Sequence, residues 1–204
     1  MSPNRAACVV LFPGVEELDA LGPFETLCLG ARAGAPLDVT LVAREPGERI
    51  ECAMGATVLA HGPVPDDVDL LVVPGGGWSG DASTGARAAV EDGGLPRLVA
   101  ERHARGSTVA SVCTGALIVA ASGIARGRPM TTHHTALDDL RARGVEVRHD
   151  RVVDDGDLLS CGGITSGIDL ALHYLRREFG STLVAAVEDE LEYRPRSEGH
   201  FAPG

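Results

Sequence analysis

Short apolar runs alternate with helical patterns along almost the whole chain, and this alternation constrains the fold more than any other feature. The runs at residues 6–12 and 69–73 are rich in Val and Leu and end at Pro-Gly turns. Between such runs lie segments with apolar residues at helical spacing, as in residues 18–33. Apolar strands separated by amphipathic helices are typical of a parallel sheet covered on both faces. We therefore predict an α/β fold, a single domain with a largely parallel sheet between two helix layers, in a flavodoxin-like sandwich.

No linker, repeat or low-complexity tract divides the chain. Its 204 residues, 44% of them hydrophobic, are enough for one domain with a sizeable core. Turn residues predict hairpins around Met54-Gly55 and around residues 154–157. Two closing helices are predicted at residues 165–179 and 181–190. We predict one domain over residues 1–193 and a flexible C-terminal tail over residues 194–204.

Charge and cysteine usage exclude several classes of function. A net charge of −11 argues against a nucleic-acid partner, which needs a basic face. No run approaches the ~18 apolar residues of a membrane span, so we expect no membrane partner. The five cysteines form no Cys-x-x-Cys pair, and no His-x-x-x-His is present, so we expect neither a metal site nor a disulfide framework. An odd number of unpaired cysteines favours a cytoplasmic location.

Cys113 lies in the segment that points most directly to chemistry. A β-branched run at residues 108–112 precedes it, and Gly115 and a run of good helix formers follow. This pattern predicts a strand, a tight turn that carries the thiol, and a helix, which together form a nucleophile elbow. The helix N-terminus would favour a thiolate. The alternative interpretation, a small apolar core residue, describes most free cysteines and has about equal weight for this segment alone.

Two other segments are expected to lie beside Cys113, because sites of parallel sheets form beyond the carboxyl ends of the strands. The first follows the first strand and carries Asp19, which could equally be a helix N-cap. The second is the glycine run that begins with Gly75 and Gly76, whose bare backbone could form an anion hole with the N–H of Thr114. Taken alone, that run is more often an ordinary turn at a strand end.

Two further candidates have polar side chains near predicted strand or helix ends. In the pair His133-His134, one ring is expected to line the site. Asp169 stands in Ser166-Gly167-Ile168-Asp169, which has the spacing of a capping box, with Asp in place of Glu. We keep Asp169 as a binding candidate, although the structural interpretation has somewhat more weight.

Taken together, these segments resemble the DJ-1/PfpI superfamily, a branch of the class I glutamine amidotransferase-like fold. The resemblance runs from Val9 to about Pro195, and the order and spacing of its motifs are more specific than any one of them. The matching motifs are Leu11-Phe12-Pro13-Gly14-Val15, Leu18-Asp19-Ala20-Leu21-Gly22-Pro23, Val73-Pro74-Gly75-Gly76, Val112-Cys113-Thr114-Gly115-Ala116, Thr131-Thr132-His133 and Gly162-Gly163-Ile164-Thr165-Ser166-Gly167-Ile168-Asp169.

Within the superfamily the chain looks like the isonitrile hydratase group. Asp19 stands where the Parkinson-associated branch has Glu, and Thr114 stands where PfpI-type peptidases place a His. Residues 191–195 are similar to the Glu-Tyr-x-Pro signature of that group. The chain departs from the pattern at His134, where the group usually has Trp, and it lacks the usual Pro-Pro-Phe near the C-terminus.

This resemblance implies a cofactor-free lyase that adds water to a small-molecule isonitrile and gives an N-substituted formamide. It implies Cys113 as the nucleophile, Asp19 as the proton shuttle, and Thr114 as the group that holds the nitrogen or the water. The N–H groups of Gly76 and Thr114 would stabilise developing negative charge. It also implies a homodimer, since members of the superfamily usually associate near the cysteine elbow.

Two alternatives remain open. The same domain occurs as the small-molecule-sensing half of AraC-type regulators, sometimes without catalysis; this chain shows no recognisable helix-turn-helix segment, which favours the enzyme as an expectation. The second alternative is glyoxalase-like or redox-sensing chemistry on Cys113. A peptidase is least expected, because no His directly follows the cysteine.

Overall fold

The computed structural model describes residues 4–80 and 83–195, together with the backbone of residues 199–201. The strands of this part of the chain are β1 Arg5–Val10, β2 Leu37–Ala43, β3 Arg49–Glu51, β4 Thr57–Leu59, β5 Gly62–Pro63, β6 Leu70–Val73, β7 Thr108–Val112, β8 Pro129–Met130, β9 Glu146–Val147, β10 Val152–Asp154, β11 Leu158–Cys161 and β12 Gly199–Phe201. The helices are α1 Glu17–Arg32, α2 Gly85–Asp92, α3 Gly94–Ala104, α4 Gly115–Ala121, α5 Leu137–Ala142, α6 Ser166–Phe179 and α7 Ser181–Glu190.

The main sheet has the strand order β12-β10-β11-β7-β6-β1-β2-β5. Among the described residues, every pairing in it is parallel except that of β10 with β11. Helices α1, α6 and α7 pack together in one layer, and α2, α3 and α4 pack together in the other. The predicted fold class, a single α/β domain with a mostly parallel sheet between helices, is confirmed.

Burial on both faces of the sheet explains why the sequences of the central strands are nearly continuous apolar runs. All four residues of β6 are buried, as are all four of β11. A strand that faced solvent on one side would alternate apolar and polar residues instead. The predicted hairpin around Met54-Gly55 is present as β3 and β4, and the turn at residues 154–157 joins β10 to β11.

Two expectations about local structure were wrong. Gly199–Phe201, inside the segment predicted to be a flexible tail, forms β12 and pairs in parallel with β10; residues 196–198 and 202–204 lie outside the described residues. The capping box does not form, because the N-cap of α6 is Thr165 without a side-chain cap, while the Ser166 hydroxyl donates to the Gly163 carbonyl at 3.1 Å. The boundary between residues 193 and 194 stays a prediction.

The carboxyl ends of β1, β6 and β7 meet at one edge of the sheet, and their loops are held close together. Val15, after β1, forms a bridge with Gly76, after β6. Gly115, at the start of α4, comes so close to β6 that a Cβ there would lie 2.1 Å from the Val73 carbonyl oxygen. A glycine is therefore required for α4 to begin directly behind the thiol. No helix in the described ranges has both the length and the hydropathy to cross a membrane.

Candidate active site

Cys113 occupies a strained elbow between β7 and α4, as the sequence predicts. Its φ of 56° is a left-handed conformation that side-chain-bearing residues seldom adopt. Neighbouring groups hold it there: its N–H is shared between the carbonyls of Cys161 at 3.3 Å and Gly162 at 3.1 Å. The Thr132 hydroxyl donates to the Cys113 carbonyl at 2.8 Å. Both polar groups of the peptide are therefore fixed, and the side chain is only 6% exposed.

Asp19 lies inside α1 rather than at its N-cap. Glu16 is the N-cap residue, and its carboxylate accepts the N–H of Asp19 at 2.9 Å. The Asp19 side chain is fully buried, and its Oδ2 accepts the N–H of Gly75 at 3.1 Å. No regular hydrogen bond reaches its Oδ1 among the described residues. A carboxylate with one unpaired oxygen in such a place is costly, so the site favours a proton on it.

Burial and charge act on the carboxyl and the thiol in the same direction. Burial, and to a smaller extent the nearby charge of Glu16, raise the pKa of Asp19 to about 7. Burial also raises the pKa of Cys113 to about 12, with an added contribution from the negative charge of Asp19. The two side chains interact directly, so their titrations are linked.

The expectation of an enriched Cys113 thiolate is therefore wrong for the resting site. The N–H of Thr114, at the helix start, does lower the pKa of the thiol, but burial raises it by more. Near pH 7 the proton lies on sulphur, while the carboxyl is divided between its two forms. Cys113 needs a base to become a nucleophile, and the adjacent Asp19 can be that base.

The anion hole differs from the predicted one. The N–H of Gly75 is bound by Asp19, and that of Gly76 by the Thr114 hydroxyl at 2.9 Å. The same hydroxyl donates to the Gly76 carbonyl at 2.7 Å, so its proton is already used within the elbow. Gly75 and Gly76 thus position the carboxyl and the elbow. A Cβ at Gly75 would lie 2.6 Å from the Thr114 hydroxyl and 2.8 Å from Asp19 Oδ2.

The N–H groups that face the sulphur belong to Thr114 and Ile164, and both lower the pKa of the Cys113 thiol. Sequence reasoning missed Ile164. It is 36% exposed and has a φ of 38°, which no sequence pattern predicts for a β-branched residue. The sequence signal that could have identified Ile164 is its position between a Gly-Gly pair and the start of α6. The two donors approach the sulphur from different elements.

His133 packs against the loop that carries Ile164, whereas Asp169 belongs to a neighbouring network. The His133 ring packs against Gly163, where a Cβ would be 2.2 Å from the ring. Burial lowers the pKa of His133, with a smaller effect from His134, whose ring centroid is 4.2 Å away. The Asp169 carboxylate is held by Arg151 at 2.7 Å and by the Tyr193 hydroxyl at 2.9 Å. This network ties α6 to the segment after α7, so substrate binding by Asp169 stays a prediction without support from the geometry.

A polar cavity of about 610 Å³ adjoins the elbow. Thr132 and Gly162, which bond to the backbone of Cys113, are among its lining residues, as are His134 and Arg151. His134 therefore lies where a side chain can shape this space. Among the described residues, no group of three or more His, Cys, Asp or Glu side chains could hold a metal ion.

Removing the Thr114 hydroxyl should loosen the link between the elbow and the loop after β6. Thr114→Val leaves the N–H and the carbonyl of Gly76 without their partner, so we expect a loss of about 1–3 kcal/mol in the free energy of unfolding. Thr114→Ser keeps the hydroxyl and should lose much less. Urea unfolding of both variants checks this, and equal stability of the Val and Ser variants would contradict the role of the hydroxyl.

Comparisons with known proteins agree with this architecture. The DJ-1/PfpI family model matches residues 5–177. Isonitrile hydratase from Pseudomonas putida is 33% identical over 189 residues, which cover 91% of this chain and 77% of that protein. The crystal structure of a ThiJ/PfpI family protein from Pseudomonas syringae has a TM-score of 0.83 and 26% identity, over 94% of this chain and 76% of that one.

An AraC family transcriptional regulator from Pseudomonas putida is also similar, with a TM-score of 0.77 over 93% of this chain and 100% of that one. At 20% identity this likeness shows the fold alone. The family model covers most of the chain. The chain belongs to the DJ-1/PfpI family.

Proposed function

We propose that this protein is an isonitrile hydratase-like lyase that converts R–N≡C and water into R–NH–CHO. One observation carries the proposal: a buried thiol lies against a buried carboxyl whose pKa is raised to about 7. Such a pair can move protons in both directions near neutral pH. The reaction needs one nucleophile and a group that gives and takes protons, and Cys113 and Asp19 supply both.

In the first half of the reaction the Cys113 sulphur attacks the isonitrile carbon. Ionised Asp19 takes the thiol proton as the C–S bond forms, and then delivers it to the same carbon. The product is a thioimidate, R–N=CH–S, attached to Cys113. Asp19 is ionised again and is in place to act on water.

In the second half Asp19 takes a proton from water as the oxygen adds to the thioimidate carbon, and this proton passes to nitrogen. The tetrahedral intermediate then loses sulphur: the C–S bond breaks, a C=O bond forms, and the hydroxyl proton returns to Cys113 through Asp19. The N–H groups of Thr114 and Ile164 face the sulphur and stabilise the negative charge that it gains as it leaves.

Turnover of an alkyl isonitrile is the direct test. The protein is incubated with the isonitrile, and the N-substituted formamide is measured by mass spectrometry in ¹⁸O-labelled water. We expect formamide that carries the label at a rate far above that of the protein-free control. Binding of the isonitrile without formamide would instead support the small-molecule-sensing alternative.

Activity should rise with pH through the ionisation of Asp19. The carboxyl must be ionised to take the thiol proton, so kcat/KM is expected to increase through a midpoint near the Asp19 pKa of about 7 and to level off above it. Glu16→Gln keeps an oxygen that can cap α1 but removes the charge that raises this pKa, so it should lower the midpoint. Rates measured from pH 5 to 9 check both; a flat profile, or one that falls with pH, would argue against Asp19 as the base.

We also propose that the chain forms a homodimer, on the resemblance to a superfamily whose members usually associate. The expected mass in solution is twice the chain mass of 21.1 kDa. Light scattering across a dilution series measures it. A mass near that of one chain at all concentrations would reject the dimer.

A further inference from the structure

Cys161 is a second thiol beside the nucleophile, and the mechanism above does not use it. It is the last residue of β11 and pairs with Val112, the residue before Cys113. Its carbonyl accepts the Cys113 N–H at 3.3 Å. Its side chain is fully buried, so it has no contact with solvent. Cys8, Cys28 and Cys52 lie on other elements, namely β1, α1 and the segment after β3.

Strand geometry places the two cysteines at a distance that a disulfide can span. Neighbouring strands lie roughly 4.8 Å apart and rise roughly 3.3 Å per residue, so Cα atoms one residue out of register on paired strands are about 6 Å apart. Cys113 directly follows the last residue of β7, and its N–H still bonds to the Cys161 carbonyl. Disulfides span Cα separations of roughly 4.4–6.8 Å. The electrostatics agree with this closeness, because the charges of Cys113 and Asp19 and a hydrogen bond from the Cys113 backbone all act on the pKa of the Cys161 thiol.

We propose that Cys161 is the resolving thiol of Cys113, and that a peroxide converts the pair into a reversible intramolecular disulfide. Cys113 is reached first because it lies at the site, whereas Cys161 is sealed from solvent. Asp19 takes the thiol proton as the Cys113 sulphur attacks the peroxide: an S–O bond forms, the O–O bond breaks, and the proton goes to the departing oxygen, which leaves as an alcohol or as water. The Cys161 sulphur then attacks the sulfenic sulphur; an S–S bond forms, the S–O bond breaks, and the oxygen leaves as water.

Asp19 can serve the second step as it serves catalysis. It lies close enough to both thiols for its charge to raise both pKa values. It can take the Cys161 proton as the S–S bond forms and give it to the departing oxygen. The disulfide would block the nucleophile while protecting it from the irreversible sulfinic acid. A thiol reductant would restore both cysteines.

Peptide mapping tests the link without reference to turnover. The native protein is treated with stepwise additions of hydrogen peroxide, then acidified and unfolded in an alkylating agent. Cleavage after arginine gives the peptides 106–126 and 152–176, each of which carries one cysteine. We expect these two peptides to appear linked, with a mass 2 Da below the sum of the two, and to separate on reduction. Cys113 found as a sulfinic acid beside an alkylated Cys161, or linked to any other cysteine, would overturn the proposal.

Matched variants sharpen the result. Cys161→Ser should lose the linked peptide and carry Cys113 on to the sulfinic acid, so that a thiol reductant no longer recovers it. Cys28→Ser removes a half-buried thiol that solvent reaches more easily than Cys161, and it should leave the link intact. If Cys161→Ser does not fold, peptide mapping of the native protein and of Cys28→Ser still tests the assignment. Loss of the linked peptide in Cys28→Ser would contradict the assignment of Cys161 as the resolving thiol.

Discussion

Cys113→Ala is expected to fold and to lose isonitrile turnover down to the rate of the protein-free control. The first bond of the proposed reaction forms at the Cys113 sulphur, on which the Asp19 carboxyl and the Thr114 and Ile164 N–H groups all act. Alanine keeps a Cβ at the left-handed elbow, so the backbone strain there is unchanged. Formamide production is measured for the purified variant, with unfolding by urea as the test of folding.

Cys28→Ala is the matched control, since it removes a thiol from α1 that lies outside the site. It should retain the wild-type rate. A Cys113→Ala protein that folds and still forms the formamide would end the covalent mechanism. A variant that fails to fold would show that the sulphur also holds the elbow, and Cys113→Ser would then separate the two roles by keeping a polar atom of similar size.

Asp19→Asn should reduce kcat by ~10²-fold or more, the usual range for a group that gives and takes protons. The amide has the size of the carboxyl, and its oxygen can still accept the N–H of Gly75. It cannot take the thiol proton at any pH in the range measured. The remaining activity should therefore lose the rise near pH 7. A change in KM alone would reassign Asp19 to substrate binding.

The same variant should be more stable than the wild type at neutral and alkaline pH. The pKa of Asp19 is about 7 in the folded protein and about 3.8 when unfolded, so the folded state binds this proton more tightly. The stability that the proton contributes is complete below pH 3.8 and is lost as pH rises through about 7. An uncharged amide removes this loss, which is on the order of a few kcal/mol. Urea unfolding at pH 4 and pH 8 measures the difference, which should grow with pH.

The fold class could be predicted from the amino-acid sequence, because local patterns report what each segment buries. A strand covered on both faces is largely apolar, and β6 and β11 are buried along their whole length. A hairpin needs turn residues, and Met54-Gly55 supplies them between β3 and β4. The strand, turn and helix of the elbow were also predicted from residues 108–121, although that segment alone left a core role for Cys113 open. Asp19 follows the first strand and was expected near Cys113, because the carboxyl ends of parallel strands meet at one edge of the sheet.

The protonation and hydrogen bonding of the site could not be predicted from the sequence, because they depend on contacts between segments far apart in the chain. Burial, which no local pattern reports, raises the pKa of the Cys113 thiol despite the helix start next to it. The Thr114 hydroxyl is bound by Gly76, and the second donor to the sulphur comes from Ile164, 51 residues after Cys113 along the chain. The pairing of β11 with β7 brings Cys161 beside the nucleophile. Strand register is set by the packing of the whole sheet, so these neighbours appear only when the chain is folded.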